Sequence, residues 1–231
     1  MRVNKYIAES GFCSRRQADE LIKEKRVTIN GQVCQLGSTV KPGDVVAIDG
    51  KPIKTKEKKV YIALNKPVGI ECTTDRRVKE NIVDFVGHPQ RIFPIGRLDK
   101  DSEGLILLTN DGDIVNKILR SENNHEKEYI VTVNKPIDDE FIKAMSSGVE
   151  ILGRKTKPCK VYKLDKNTFR IILTQGMNRQ IRRMCQALGY RVLKLKRIRI
   201  MNINLGLLKV GHWRNLTKKE LDTLMKLLNK S

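Results

Sequence analysis

Apolar positions recur along this chain with two periods, one helical and one strand-like. Val3, Tyr6 and Ile7 share one side of a helix predicted over residues 1–10, which Gly11 ends. Ser14-Arg15-Arg16-Gln17 then fits a capping box, in which the serine and glutamine side chains satisfy backbone amides at a helix start. Ala18, Leu21 and Ile22 continue that helix at the expected spacing. The period then drops to two: Val27-Thr28-Ile29 and Gln32-Val33 flank Asn30-Gly31, a hairpin signal because both turn residues tolerate positive φ. A turn at Lys41-Pro42-Gly43-Asp44 leads into Val45-Val46-Ala47-Ile48. Residues 1–50 therefore predict two helices on a small hairpin-rich sheet. Residues 51–59 carry five lysines, one acid and almost nothing to bury, so they predict a linker.

From residue 60 onward strands dominate. They are expected at Val60–Leu64, entering the turn Asn65-Lys66-Pro67, at Ile92–Gly96, at Gly104–Leu108, at Tyr129–Val133, and twice within 159–174. Helices are expected over 111–120 through Ile114, Val115, Ile118 and Leu119, and over 136–147. A second capping box, Thr217-Lys218-Lys219-Glu220, opens a final helix with Leu221, Leu224, Met225 and Leu228 as its apolar stripe. Strands and helices mix without a regular βαβ alternation. The fold class is α+β, with domains at 1–50 and 60–231 joined by the linker 51–59.

Charge changes the picture. Lys plus Arg is 46 against 26 for Asp plus Glu, a formal net charge of +20, which points to a polyanionic partner. From Lys166 to Lys219 there are fourteen Lys or Arg and no acid, a block best explained by phosphate contact. Within it Ile181, Met184, Cys185 and Leu188 share one helix face, and Arg179, Arg182, Arg183 and Gln186 share the other. Arg15, Arg16, Lys23, Lys25 and Arg26 form a smaller basic patch. Aromatics are only 5%, too few for a single-strand binder that stacks many bases, so folded RNA is the expected partner. No apolar run approaches the ~18 residues of a membrane span, and Met1–Lys5 leads into polar helix sequence, so no secretory signal is expected. Five scattered cysteines without a C-x-x-C point to a reducing cytoplasm, and the three histidines lack metal-ligand spacing, so no zinc site and no transition-metal chemistry are expected.

The segment Gly96-Arg97-Leu98-Asp99-Lys100-Asp101-Ser102-Glu103-Gly104-Leu105 places three carboxylates in a turn between two strand-like runs. Such an aspartate can be a nucleophile, a base or one of a glycosidase-type pair, or it can simply cap backbone amides. With the basic surface, these residues alone leave open a non-catalytic RNA-binding or ribosome-assembly factor and an enzyme acting through the carboxylate, such as a base-excising glycosylase.

Gly96-Arg97-Leu98-Asp99 with Ser102-Glu103-Gly104-Leu105, together with Leu64-Asn65-Lys66-Pro67, Lys127-Glu128-Tyr129 and Asn178-Arg179-Gln180-Ile181-Arg182-Arg183-Met184, resembles the RsuA/RluB/RluE/RluF family of ribosomal RNA pseudouridine synthases. Glu126–Tyr129 and Arg197–Asn202 are most similar to the RluF branch, which acts on large-subunit ribosomal RNA, and residues 1–50 resemble the alpha-L RNA-binding module of a small-subunit ribosomal protein. The resemblance implies a largely antiparallel mixed sheet in the catalytic domain, base flipping and no cofactor. It implies a large-subunit RNA or assembly intermediate as substrate, a tRNA anticodon arm being a further candidate, and a monomer with no obligate protein partner. It also implies roles: Asp99 as the essential aspartate, Arg182 as the basic residue paired with it, Tyr129 stacked on the target uracil, Ile181 lining the uracil pocket, and Arg97 filling the gap left by the flipped base. Arg179, Arg183, Arg15 and Arg16 are expected to bind RNA. Lys66 stands between a substrate contact and a strand-end surface lysine.

Overall fold

The computed structural model describes residues 1–54, 58–120 and 124–229. The chain forms two compact units, one of residues 1–60 with 88–92 and 110–112, the other of residues 61–87, 93–109 and 113–231.

The first unit contains helices α1 (Val3–Glu9) and α2 (Arg15–Lys23) and strands β1 (Val27–Ile29), β2 (Gln32–Val33), β3 (Val46–Ile48) and β4 (Lys51–Pro52). The capping box at α2 forms as expected, with Ser14 accepting from the Gln17 amide and Gln17 accepting from the Ser14 amide. Asn30 and Gly31 both take positive φ (50° and 80°), so the β1–β2 hairpin closes through the tight turn that their sequence favours. The four strands order β2-β1-β3-β4, and Val3, Ile7, Ala18, Ile22, Val27, Val46 and Ile48 seal the core beneath them. The first two residues of the lysine-rich segment pair with β3, turned back through Asp49 and Gly50 at positive φ. Composition hid this strand because both of its residues are exposed. Residues 55–57 of the expected linker lie outside the described residues, as do the last two of the chain.

The second unit contains β5 (Tyr61–Lys66), α3 (Ile82–Val86), β6 (Phe93–Pro94), β7 (Glu103–Thr109), α4 (Gly112–Leu119), β8 (Lys127–Val133), α5 (Asp139–Ser147), β9 (Glu150–Ile151), β10 (Arg154–Lys155), β11 (Lys160–Asp165), β12 (Thr168–Leu173), α6 (Gln180–Ala187), β13 (Val192–Ile200), β14 (Ile203–Asn204), β15 (Trp213–Asn215) and α7 (Lys218–Asn229). Its main sheet runs β11-β12-β8-β13-β7-β5-β15. Only the β13–β7 contact is parallel, so the expected mixed, largely antiparallel α+β architecture is what forms. Val131, Phe169, Ile171, Phe141, Met145, Ile181 and Met184 pack one half of this unit. Leu105, Leu107, Ile114, Ile118, Ile203, Leu224 and Leu228 pack the other. Each fully buried Leu or Ile contributes about 1.5–3 kcal/mol.

Three elements depart from expectation. Helix α5 starts at Asp139, not 136, because Asp138 caps it by accepting from the Phe141 amide. The short helix α3, capped by Asn81, follows no long periodic pattern. The nine-residue β13 sits inside the basic block, where charge masked its strand period. Gly104 is needed where β7 meets β13. It sits at φ 114°, and a Cβ there would collide with the backbone of Arg197.

Candidate active site

The Asp99 carboxylate is placed by the groups on either side of it. Gly96 takes φ 78° and opens a turn. Leu98 is buried and doubly tied to Cys72, its amide donating to Sγ at 3.4 Å and its carbonyl accepting from the thiol at 3.3 Å. The Ser102 amide closes the turn on the Asp99 carbonyl at 3.0 Å. With Leu98 held inward, Asp99 faces out, and its side chain is 35% exposed.

Lys66 completes the support. It is fully buried, and its ammonium donates to the carbonyls of Pro67 (2.9 Å), Ile70 (2.8 Å) and Lys100 (3.4 Å). Burial pushes its pKa down, while Cys72, Asp101 and Asp99 pull it back up. Lys66 is thus neither a surface lysine nor free to meet RNA. It pins the loop next to Asp99, because a buried ammonium must satisfy its donors with backbone carbonyls.

Asp99, Arg97, Tyr129, Ile181, Arg179 and Arg182 line one cavity of about 470 Å³, within the size range of small-molecule sites. The arginines divide differently from expectation. Arg179, the αL residue that starts α6, clamps Asp101 through two hydrogen bonds of 2.9 and 2.8 Å, and its Nη1 lies 3.5 Å from the Asp99 carboxylate. Arg182 instead donates to the Asp101 carbonyl (3.0 Å) and the Ser102 hydroxyl (2.9 Å). The guanidinium facing Asp99 is therefore that of Arg179, not Arg182. The helix period puts both arginines on one face, but the left-handed backbone at Arg179 decides which one reaches the aspartate. The same clamp lowers the Asp101 pKa, with Arg182 adding to it, and raises that of Arg179.

Tyr129 is half-buried on β8, opposite Arg197 of β13 and Ile171 of β12. Ile181 is buried on the first turn of α6. Arg97 is exposed at the cavity rim. Arg183 turns away to the carbonyl and side chain of Asn178, both at 3.0 Å. Arg15 and Arg16 lie exposed on the first turn of α2 in the first unit.

Three further polar groups line the cavity: His125, Lys127 and Arg197. Arg197 is buried and donates to the Leu105 carbonyl at 2.7 Å. Burial first, and the charge of Arg197 second, push the Lys127 ammonium down to about 8. A strand period of two, counted back from Tyr129, would have placed Lys127 on the cavity side. Among the described residues, no helix is long and apolar enough to cross a membrane, and no cluster of His, Cys, Asp and Glu is placed to hold a metal ion.

The cleft thus offers a rigidly held, solvent-reachable carboxylate, an aromatic ring and an apolar wall, with arginines around the mouth. Residues 60–187 match the RNA pseudouridylate synthase family, and residues 1–46 match the S4 domain. The chain is 59% identical to the dual-specificity RNA pseudouridine synthase RluF of Escherichia coli K12, over 100% of this chain and 80% of the relative. It is 39% identical to the ribosomal large subunit pseudouridine synthase B of Bacillus subtilis, over 96% of this chain and 95% of that one. A solved pseudouridylate synthase shares 32% of its sequence and superposes with a TM-score of 0.70, covering 97% of this chain and 99% of its own. With motifs, cleft and relatives in agreement, this chain belongs to the RNA pseudouridylate synthase family.

Proposed function

We propose that this chain converts one uridine of large-subunit ribosomal RNA to pseudouridine, with Asp99 as the acting carboxylate. The observation that carries this reading is the single cavity shared by Asp99, Tyr129, Ile181 and the arginines. The target base leaves its stack to enter that cavity. Tyr129 stacks on the uracil and Ile181 forms the apolar wall. Arg97, exposed at the rim, occupies the space that the base vacates. The bond between uracil N1 and ribose C1′ breaks, the ring turns, and C5 joins C1′. N1 gains a proton and C5 loses one, so the reaction balances without a co-reactant. Asp99 either attacks C1′ or removes a ribose proton, and both routes require a carboxylate at the sugar. Arg179 supplies the facing positive charge and, through Asp101, rigidity.

The large-subunit substrate is supported by the name of the Bacillus subtilis relative, and a second RNA target by the dual specificity in the Escherichia coli name. A tRNA anticodon arm is the candidate for that second target. Residues 1–50 act as the RNA-binding module and residues 60–231 as the catalytic domain, joined through 51–59. Arg15, Arg16 and Arg183, all outside the cavity, contact phosphates. Incubating the purified chain with large-subunit RNA from a strain lacking the enzyme, then mapping carbodiimide-resistant uridines, tests the reading. One new pseudouridine is the expected result. Tight binding without modification would make the chain a docking factor, and an abasic site would make it a glycosylase; either would overturn the proposal.

A further inference from the structure

Lys127 lies on the wall of the cavity in which the proposed reaction takes place. It shares a strand face with Tyr129, two residues along β8, and lines the same cavity as Asp99. Its partners across the sheet are apolar: Leu173 on β12 and Ile200 on β13. The charge that acts on it is that of Arg197, of the same sign. Among the described residues no carboxylate pairs with it. The adjacent acid, Glu128, points to the opposite face and is taken by Arg199 and Arg170. His125, also on the cavity wall, hydrogen-bonds the Ile118 carbonyl through Nδ1 at 3.0 Å, while its Nε2 is buried without a partner. A carbonyl only accepts, so the bonded Nδ1 carries the proton.

A partly buried ammonium without a counter-ion costs stability. Such a cost is typical of a group that completes its interactions only with substrate. The reaction itself supplies a fitting anion. When the N1–C1′ bond breaks, both electrons of that bond stay with the base, and the charge spreads from N1 onto the two ring carbonyl oxygens. We propose that Lys127 contacts the uracil ring and stabilises the negative charge that the ring carries while detached from the sugar. This role rests on the reaction proposed above. A partly buried ammonium acts more strongly on developing charge than one in water, because there is less solvent to screen it. Its depressed pKa is consistent with a cation waiting for an anion.

Lys127→Met and Lys127→Arg test this in single-turnover reactions at saturating RNA, on one RNA with uridine at the target and on another with 5-fluorouridine. Fluorine withdraws electrons, so the detached fluorinated ring is the more stable anion and needs less help. The readout is disappearance of the N-linked nucleoside. Lys127→Met is expected to slow this step about 100-fold on uridine, with RNA affinity within about 2-fold of wild type. On 5-fluorouridine the deficit is expected to shrink about tenfold, and Lys127→Arg is expected to recover part of the rate. An equal deficit on both RNAs would make the residue structural. A loss confined to RNA affinity would make it a phosphate contact, and a wild-type rate would leave it no role; each would overturn the proposal. Should Lys127→Met fail to fold, Lys127→Gln carries the same comparison. A wild-type chain that makes no pseudouridine would sink the reaction and this role together. An active wild type with an unaffected Lys127→Met would sink this role alone.

Discussion

The two faces of the main sheet carry similar residues arranged to opposite ends. On the face away from the cavity, Glu126 and Glu128 meet Arg199 at 2.9 and 3.4 Å, and Arg170 approaches Glu128 at 3.8 Å. Arg170 also lies over the Tyr162 ring at 4.6 Å. Acids and bases there are matched to one another. At the cavity, Asp101 takes both hydrogen bonds of the Arg179 fork, while Asp99 lies 3.5 Å from the same guanidinium. Lys127, one residue before Glu128, has no acid at all among the described residues. Two carboxylates two residues apart are thereby given different tasks: Asp101 positions the arginine, and Asp99 stays available at the mouth. A matched ion pair holds a fold together, whereas an unmatched charge in a cleft has a partner still to come.

Gly104→Ala breaks the comparison at its root, since it pushes β7 away from Arg197 and disturbs both faces. It is expected to cost about 3 kcal/mol or more, read as a large fall in the urea midpoint. Arg199→Met leaves Glu128, with a side chain only 12% exposed, short of its main partner. A loss of about 1–3 kcal/mol in stability is expected, with turnover at saturating RNA preserved. Arg179→Ala should do the reverse, slowing turnover about 10–100-fold while stability changes by less than about 1 kcal/mol. If the two variants exchanged phenotypes, the division of labour between the faces would be wrong. The smallest effect concerns pH. Arg179 lowers the Asp101 pKa, so the stability from that pair is fully present above the ordinary carboxylate range and is lost as pH falls through the depressed value. Asp101 is half exposed, so comparing Asp101→Asn with wild type across pH 5 to about 2 should show a stability gap that closes at the acid end, starting from about 0.5 kcal/mol or less.

Local chemistry made much of the fold legible in advance. The Asn30-Gly31 hairpin and the two capping boxes, at Ser14–Gln17 and Thr217–Glu220, depend on neighbours in sequence, and all three form. Strand β13 was missed because its alternation, Val192-Leu193-Lys194-Leu195-Lys196-Arg197, is written largely in lysine and arginine. Such residues read as surface, yet Arg197 is buried to serve the Leu105 carbonyl and Lys66 to serve three others. Sequence shows that a side chain is charged, but only tertiary contacts show whether water or backbone solvates it. At the site, the motif residues Asp99, Tyr129 and Ile181 do meet in one cavity. The exchange of Arg182 for Arg179 beside Asp99 depended on one backbone conformation, φ 50° at Arg179, which no helix wheel displays.

The central claim is that the Asp99 side chain carries the chemistry, and Asp99→Asn tests it most directly because the two side chains are nearly isosteric. The variant should bind large-subunit RNA with unchanged affinity and yield no pseudouridine, a loss of at least about 1,000-fold at saturating substrate. Turnover at the wild-type rate by Asp99→Asn would contradict the account.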